Sequence, residues 1–164
     1  MFLTENSKLV LAGAISLGSG AITGDWISLK GYGACRCHVI LTRGADSTAA
    51  AITLDKAKTV AGGDESAGMT IKNWYSLTDY VPGTSTATDL TKGTAATSIS
   101  TDTSQSVTHY YVLDVDASEL GEGYDCLQVN LAASNAANYQ VAFYELYNPR
   151  YAEDAGGVVE PIDN

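Results

Sequence analysis

The stretch ACRCHVILT, Ala34 to Thr42, places two thiols and an imidazole within four residues of one another. Successive side chains of extended backbone point to opposite faces, so as a strand it separates into two sets. Cys35, Cys37, Val39 and Leu41 share one face; Arg36, His38, Ile40 and Thr42 share the other. The thiols fall with the aliphatics, and free cysteine behaves as a small hydrophobe that is among the most buried residue types. The expectation is a buried, metal-free core face. A tetrahedral zinc site would need His38, which points the opposite way, with Cys126 or His109 converging from elsewhere. Cys35 and Cys37 are too close on one strand to bridge each other, and three cysteines is an odd number, so no disulfide framework can be read.

Around this strand, other period-two segments are separated by Gly, Asn, Asp and Ser. Strands are expected at Leu9–Ala12, Asp25–Leu29, Ala34–Thr42, Ala51–Val60, Thr70–Leu77, Val107–Asp116, Tyr124–Ala132 and Tyr139–Tyr147. Turn chemistry falls at Gly31–Gly33, Gly44–Asp46, Gly62–Asp64, Gly121–Gly123 and Ser134–Asn138. A short turn at Ala117–Leu120 is the one helical feature of note. The pattern predicts an all-β fold: a single-domain antiparallel β-sandwich, jelly-roll-like, over residues 1–152.

Composition supports one globular domain. A chain of 164 residues can bury one sizeable core, and 45% hydrophobic against 17% charged residues is not a disordered composition. Ten tyrosines against two phenylalanines suggest rings at surfaces, one end apolar and one end wet. A net charge of −10 argues against a nucleic-acid partner and against anionic membranes, because both are bound through Lys and Arg. The apolar run Leu9–Leu17 follows a start with Glu5 beside a single Lys8, which does not read as a signal peptide, and it is too short to span a bilayer. Unpaired thiols fit a reducing compartment.

Two stretches do not read as core. From Gly83 to Ser106, 13 of 24 residues are Ser or Thr, so the segment is expected to be a polar loop insertion, an excursion or hairpin projecting from the sandwich. The end, AEDAGGVVEPIDN, carries four acids and no base, and residues 153–164 are read as an acidic tail or arm.

Catalytic and cofactor signatures are weak throughout. GSGAITG, Gly18 to Gly24, has one residue too many for a dinucleotide fingerprint and reads as a flexible turn. Asp114 and Asp116 share a strand face near Glu119, a set that could hold a hard cation but more simply forms a solvated face. Neither His38 nor His109 sits in a triad setting, and no carboxylate pair stands out for glycoside hydrolysis. Trp26 and Trp74 could line a sugar-binding groove, although strand tryptophans more often serve a core or interface. The expectation is a non-enzymatic protein without a cofactor.

GDWISLKGYGACRCHVIL, then YYVLDVDASELGEGYDCLQVNLAAS, then VAFYELYNPRYA together resemble a group of small virion proteins of tailed bacteriophages. Those similar to it are taken as capsid decoration, or cement, proteins. The resemblance covers the first and last thirds of the chain. It implies a virion protein on the capsid surface, made in the host bacterial cytoplasm, with the major capsid protein as partner and homo-oligomer contacts in addition. Two other roles remain open: a tail or fibre-associated β-domain, and a secreted carbohydrate-binding module, which predicts an aromatic groove around Trp26 or Trp74.

Interface residues are expected where the final strand stops. Pro149 lacks an N–H, so pairing should end near Tyr147, and Arg150 stands between Tyr147 and Tyr151. A guanidinium flanked by rigid rings is the kind of cluster enriched at interface hot spots. Tyr147, Arg150 and Tyr151 are the candidates.

Overall fold

The computed structural model describes residues 7–13, 16–17, 20–44, 48–81 and 89–150. Among these residues the chain forms twelve strands and one short 3-10 helix. The strands are β1 (Ser7–Leu11), β2 (Ser16–Leu17), β3 (Ile22–Thr23), β4 (Ile27–Ser28), β5 (Tyr32–Thr42) and β6 (Ala51–Ala57), followed by β7 (Asn73–Tyr80), β8 (Thr91–Lys92), β9 (Ile99–Ser100), β10 (Thr108–Asp116), β11 (Cys126–Leu131) and β12 (Tyr139–Pro149). The helical turn covers Ala117–Leu120, where Asp116 caps its first turn by accepting the Ser118 N–H at 2.8 Å.

Two antiparallel sheets stack as a sandwich. The larger runs β1-β12-β5-β10-β7-β8, with β2 also on β12; the smaller runs β3-β11-β6-β9, with β4 also on β11. The expected all-β sandwich is the observed fold. All eight expected strands have counterparts, and the four that were not anticipated, β2, β3, β8 and β9, are two residues each. A pair of residues carries no periodicity, so only the partner strand reveals it.

The opening stretch lies at the centre of the larger sheet, and its alternation is realised: Cys35, Cys37, Val39 and Leu41 are all 0% exposed. The first three join Tyr111, Leu113 and Val115 of β10 and Ala142, Tyr144 and Leu146 of β12 in one core cluster with Leu54 of β6 and Leu127, Val129 and Leu131 of β11. Each large aliphatic so buried contributes about 1.5–3 kcal/mol relative to exposure.

Tyrosine is not confined to surfaces. Tyr111 and Tyr144 are among the largest fully buried side chains. The Tyr144 hydroxyl accepts the Val129 N–H at 2.9 Å and donates to the Asp25 carbonyl at 3.0 Å, tying the larger sheet to the smaller through the core. Gly24 makes room for this crossing, since a Cβ there would lie 2.5 Å from the Val129 carbonyl oxygen and 2.7 Å from the Tyr144 hydroxyl. The neighbouring Ile22–Thr23 pair is strand β3, with Ile22 buried, so the second half of GSGAITG is sheet and not a flexible turn.

The Ser/Thr-rich segment also departs from expectation over residues 89–106. It does not project: β8 extends the larger sheet beside β7, a bridge joins Ile71 to Ala96, and β9 pairs with β6 in the smaller sheet. This run crosses from one sheet to the other and closes a side of the sandwich. Ile99 is buried, and buried Thr101 accepts from the Ala50 N–H and the Arg43 guanidinium, both at 2.8 Å. Few apolar anchors suffice because hydroxyls satisfy the polar groups taken out of water. At the other end, β12 continues through Asn148, in the left-handed region at φ 57°, to Pro149 opposite Tyr32. Pairing therefore outlasts Tyr147, and the Arg150 N–H donates to the Gly31 carbonyl at 3.0 Å.

Candidate functional site

The alternation that buries one face of β5 turns Arg36, His38, Ile40 and Thr42 to the outer face of the larger sheet. Strand register assembles cross-strand rows there. One row reads Leu11, Phe143, His38, Val112, Tyr75 across β1, β12, β5, β10 and β7. The next is Val141, Ile40, Tyr110, Leu77 across β12, β5, β10 and β7. On the opposite flank of the first row lies a polar one: Leu9, Glu145, Arg36, Asp114, Asn73. A solvent-side sheet face normally alternates to polar residues. This one carries two mainly apolar rows beside a charged row, and Leu9 and Leu11 on the edge strand are 66% and 53% exposed.

His38 organises the middle. Its ring is stacked between Phe143, at 4.6 Å between centroids, and Tyr110, at 5.9 Å. Nδ1 lies 2.6 Å from the Tyr110 hydroxyl and Nε2 lies 3.3 Å from Glu145 Oε2. Burial pushes the His38 pKa below its ordinary value, against the opposing pull of Glu145. A neutral ring satisfies both contacts when Nε2–H donates to Glu145 and Nδ1 accepts from the phenol. Both nitrogens are then committed internally, which leaves the imidazole no lone pair for a substrate proton.

Arg36 lies between two acids, 3.4 Å from Glu145 and 3.9 Å from Asp114, with its guanidinium 4.3 Å above the Tyr147 ring. The Tyr147 hydroxyl donates to Asp114 Oδ1. Burial, followed by this contact, pushes the Tyr147 pKa up to about 12. The same rows frame a groove of about 560 Å³. It is lined by Arg36 and His38 of β5, Tyr110, Val112 and Asp114 of β10, Glu145 of β12 and Tyr75 of β7, with Asp89 and Leu90 just before β8.

Of the predicted interface residues, Tyr147 belongs to this face, held by Arg36 and Asp114. Arg150 is exposed at the end of β12. Tyr151 lies outside the described residues, as do residues 153–164. The other candidates disperse. Cys35 and Cys37 belong to the larger sheet and Cys126 to the smaller, all three free and buried. Burial raises the thiol pKa of Cys35 well above normal, and that of Cys126 to about 12, which keeps both protonated and unreactive. Asp116 serves the helical cap, Glu119 lies 3.9 Å from Lys72, and Asp114 faces Arg36. Among the described residues no three His, Cys, Asp or Glu side chains are grouped to hold a metal ion. The tryptophans do not line the groove: Trp74 packs partly against the core and donates to the Thr94 carbonyl at 2.8 Å, while Trp26 lies against Gly62.

Sequence reading missed Tyr110, Phe143 and Glu145 as neighbours of His38, and Tyr75, Asp89 and Leu90 as lining of the groove. The available signal was apolar residues at both parities of β5 and β12, Ile40 and Phe143 in particular, which a one-sided strand does not need. No helix among the described residues is long and apolar enough to cross a membrane. No family model, curated protein or solved structure matches the chain.

Proposed function

We propose that the chain is a non-enzymatic structural protein of a bacteriophage virion, one that decorates and stabilises the capsid by binding the major capsid protein and itself. The observation that carries this reading is the outer face of the larger sheet, where half-buried Val141, Ile40 and Phe143 lie in registered rows on the side away from the core, continued by exposed Leu11 on the edge strand. Contiguous apolar surface of this kind, rimmed by polar residues, marks interaction sites. The resemblance of its first and last thirds to phage decoration proteins points the same way. So do buried, unpaired thiols, which suit assembly in a reducing cytosol. A net charge of −10 would keep such a protein from adhering to packaged nucleic acid. Repeated sites on a symmetric shell would convert a modest contact into firm attachment.

The test is co-sedimentation of the purified chain with emptied heads and, separately, with isolated tails of the phage that encodes it. Saturable binding to heads alone supports decoration. Binding to tails alone supports the alternative of a tail or fibre-associated domain, and binding to neither removes both.

A further inference from the structure

The groove beside His38 has an unbalanced charge. Its lining holds three carboxylates, Asp89, Asp114 and Glu145, against one guanidinium, Arg36. With His38 neutral, three negatives and one positive leave two negatives. Arg36 is immobilised between two of the acids and over Tyr147, whereas Asp89 at the rim is exposed and forms no ion pair among the described residues. Tyr75 and Tyr110 supply aromatic surface, and Leu90 at the mouth is 43% exposed.

Carboxylates with tyrosine faces are the complement of a cation, and the apolar rows alongside are the complement of an aliphatic flank. We propose that this groove receives a lysine or arginine side chain borne on an otherwise apolar segment of a protein partner. The assignment rests on the contact role inferred above and names the chemistry of its partner. A second copy of this chain is disfavoured as occupant, because it brings its own net charge of −10 to an acidic groove. A glycan fits less well, since the polar groups of His38, Tyr110, Tyr147 and Arg36 already serve one another. Anionic lipid and nucleic acid are repelled.

The experiment titrates the isotopically labelled chain with three capped peptides, acetyl-Leu-Arg-Leu-amide and its Glu and Ala counterparts, while amide resonances are followed. The arginine peptide should give saturable shifts at Arg36, Tyr75, Tyr110 and Asp114, weakening with added salt. Asp89→Asn, an exposed change that spares the fold, should weaken it about 3- to 5-fold, and Asp114→Asn provides a second variant. Equal shifts with the glutamate peptide, shifts confined to other surfaces, or unchanged affinity in both variants would overturn the proposal. Emptied heads separate it from the broader reading. If the wild-type chain binds heads and Asp89→Asn binds equally well, the groove assignment fails and decoration stands. If the wild-type chain does not bind heads, decoration fails and the peptide titration alone decides the groove.

Discussion

The two faces of β5 share one backbone and differ in what holds them. On the inner face Cys35, Cys37, Val39 and Leu41 are all fully buried, the first three within the apolar core between the sheets. On the outer face Arg36 and His38 are held by directional contacts with Glu145, Tyr110, Asp114 and Tyr147, supplied by two neighbouring strands. The inner face admits neither added volume nor an unpaired polar group. The outer face has room for volume and access to water, but each of its polar members depends on a particular set of partners. Apolar packing is thus concentrated on one side of the sheet and directional polar contacts on the other.

The largest effect that probes this division is Leu113→Ala, which empties a fully buried site and should cost about 2–5 kcal/mol in urea unfolding. Its neighbour Val112 faces the groove, and Val112→Ala should cost about 1–2 kcal/mol. Equal losses would show that the outer face is packed as tightly as the core. Next is Tyr144→Phe, which strands the Val129 N–H and the Asp25 carbonyl and should cost about 1–3 kcal/mol. Tyr147→Phe on the outer face should stay within about 1 kcal/mol, and a larger cost for it would blur the comparison.

A third effect comes from protons. Burial lowers the pKa of both His38 on the outer face, beside Glu145, Tyr110, Arg36 and Asp114, and His109 inside, against the Ser104 carbonyl with Asp102 and Arg43 nearby. The unfolded chain therefore takes up protons more readily than the fold. The stabilisation is complete above the unfolded histidine value of about 6.5 and is lost as pH falls from there through the depressed folded values. Thermal midpoints compared at about pH 7.5 and about pH 5 should fall on the acid side. His38→Gln should leave only the inner histidine's share of that fall; an unaltered acid slope would assign the whole effect to His109. Smallest of all is Arg150→Ala. This exposed side chain should change stability by no more than about 0.5 kcal/mol, so a loss of head binding in that variant would extend the recognition surface to the end of β12.

The sandwich was legible because its long strands carry their own alternation: β5 alone declares which side is core. Legibility ended where an element takes its identity from a partner. Ile22–Thr23 is a strand only because Asn130 and Leu131 lie beside it. The run from Asp89 to Ser106 looks like a loop because its burial depends on single residues, Ile99 and Thr101. Parity within nine residues suffices to put Cys35 and Cys37 on the buried face. The groove was hidden because Arg36, Tyr75, Asp114 and Glu145 come from four strands, and only the register brings them together. Tyr147 stands close to Arg150 in the chain, yet its cationic neighbour on the sheet face is Arg36. Chain proximity is a poor guide to cross-strand pairing.

The tryptophan at the edge of the larger sheet binds two positions into one heritable unit. The Gly93 N–H donates to the Trp74 carbonyl at 2.9 Å, and any Cβ at position 93 would fall within the indole of Trp74. Neither residue can drift by itself: a side chain at 93 requires a smaller ring at 74, and losing the ring leaves the crossing between the sheets without its cover. Related chains should therefore keep this glycine and this tryptophan together or replace them together, and that joint inheritance would identify relatives whose remaining residues have diverged.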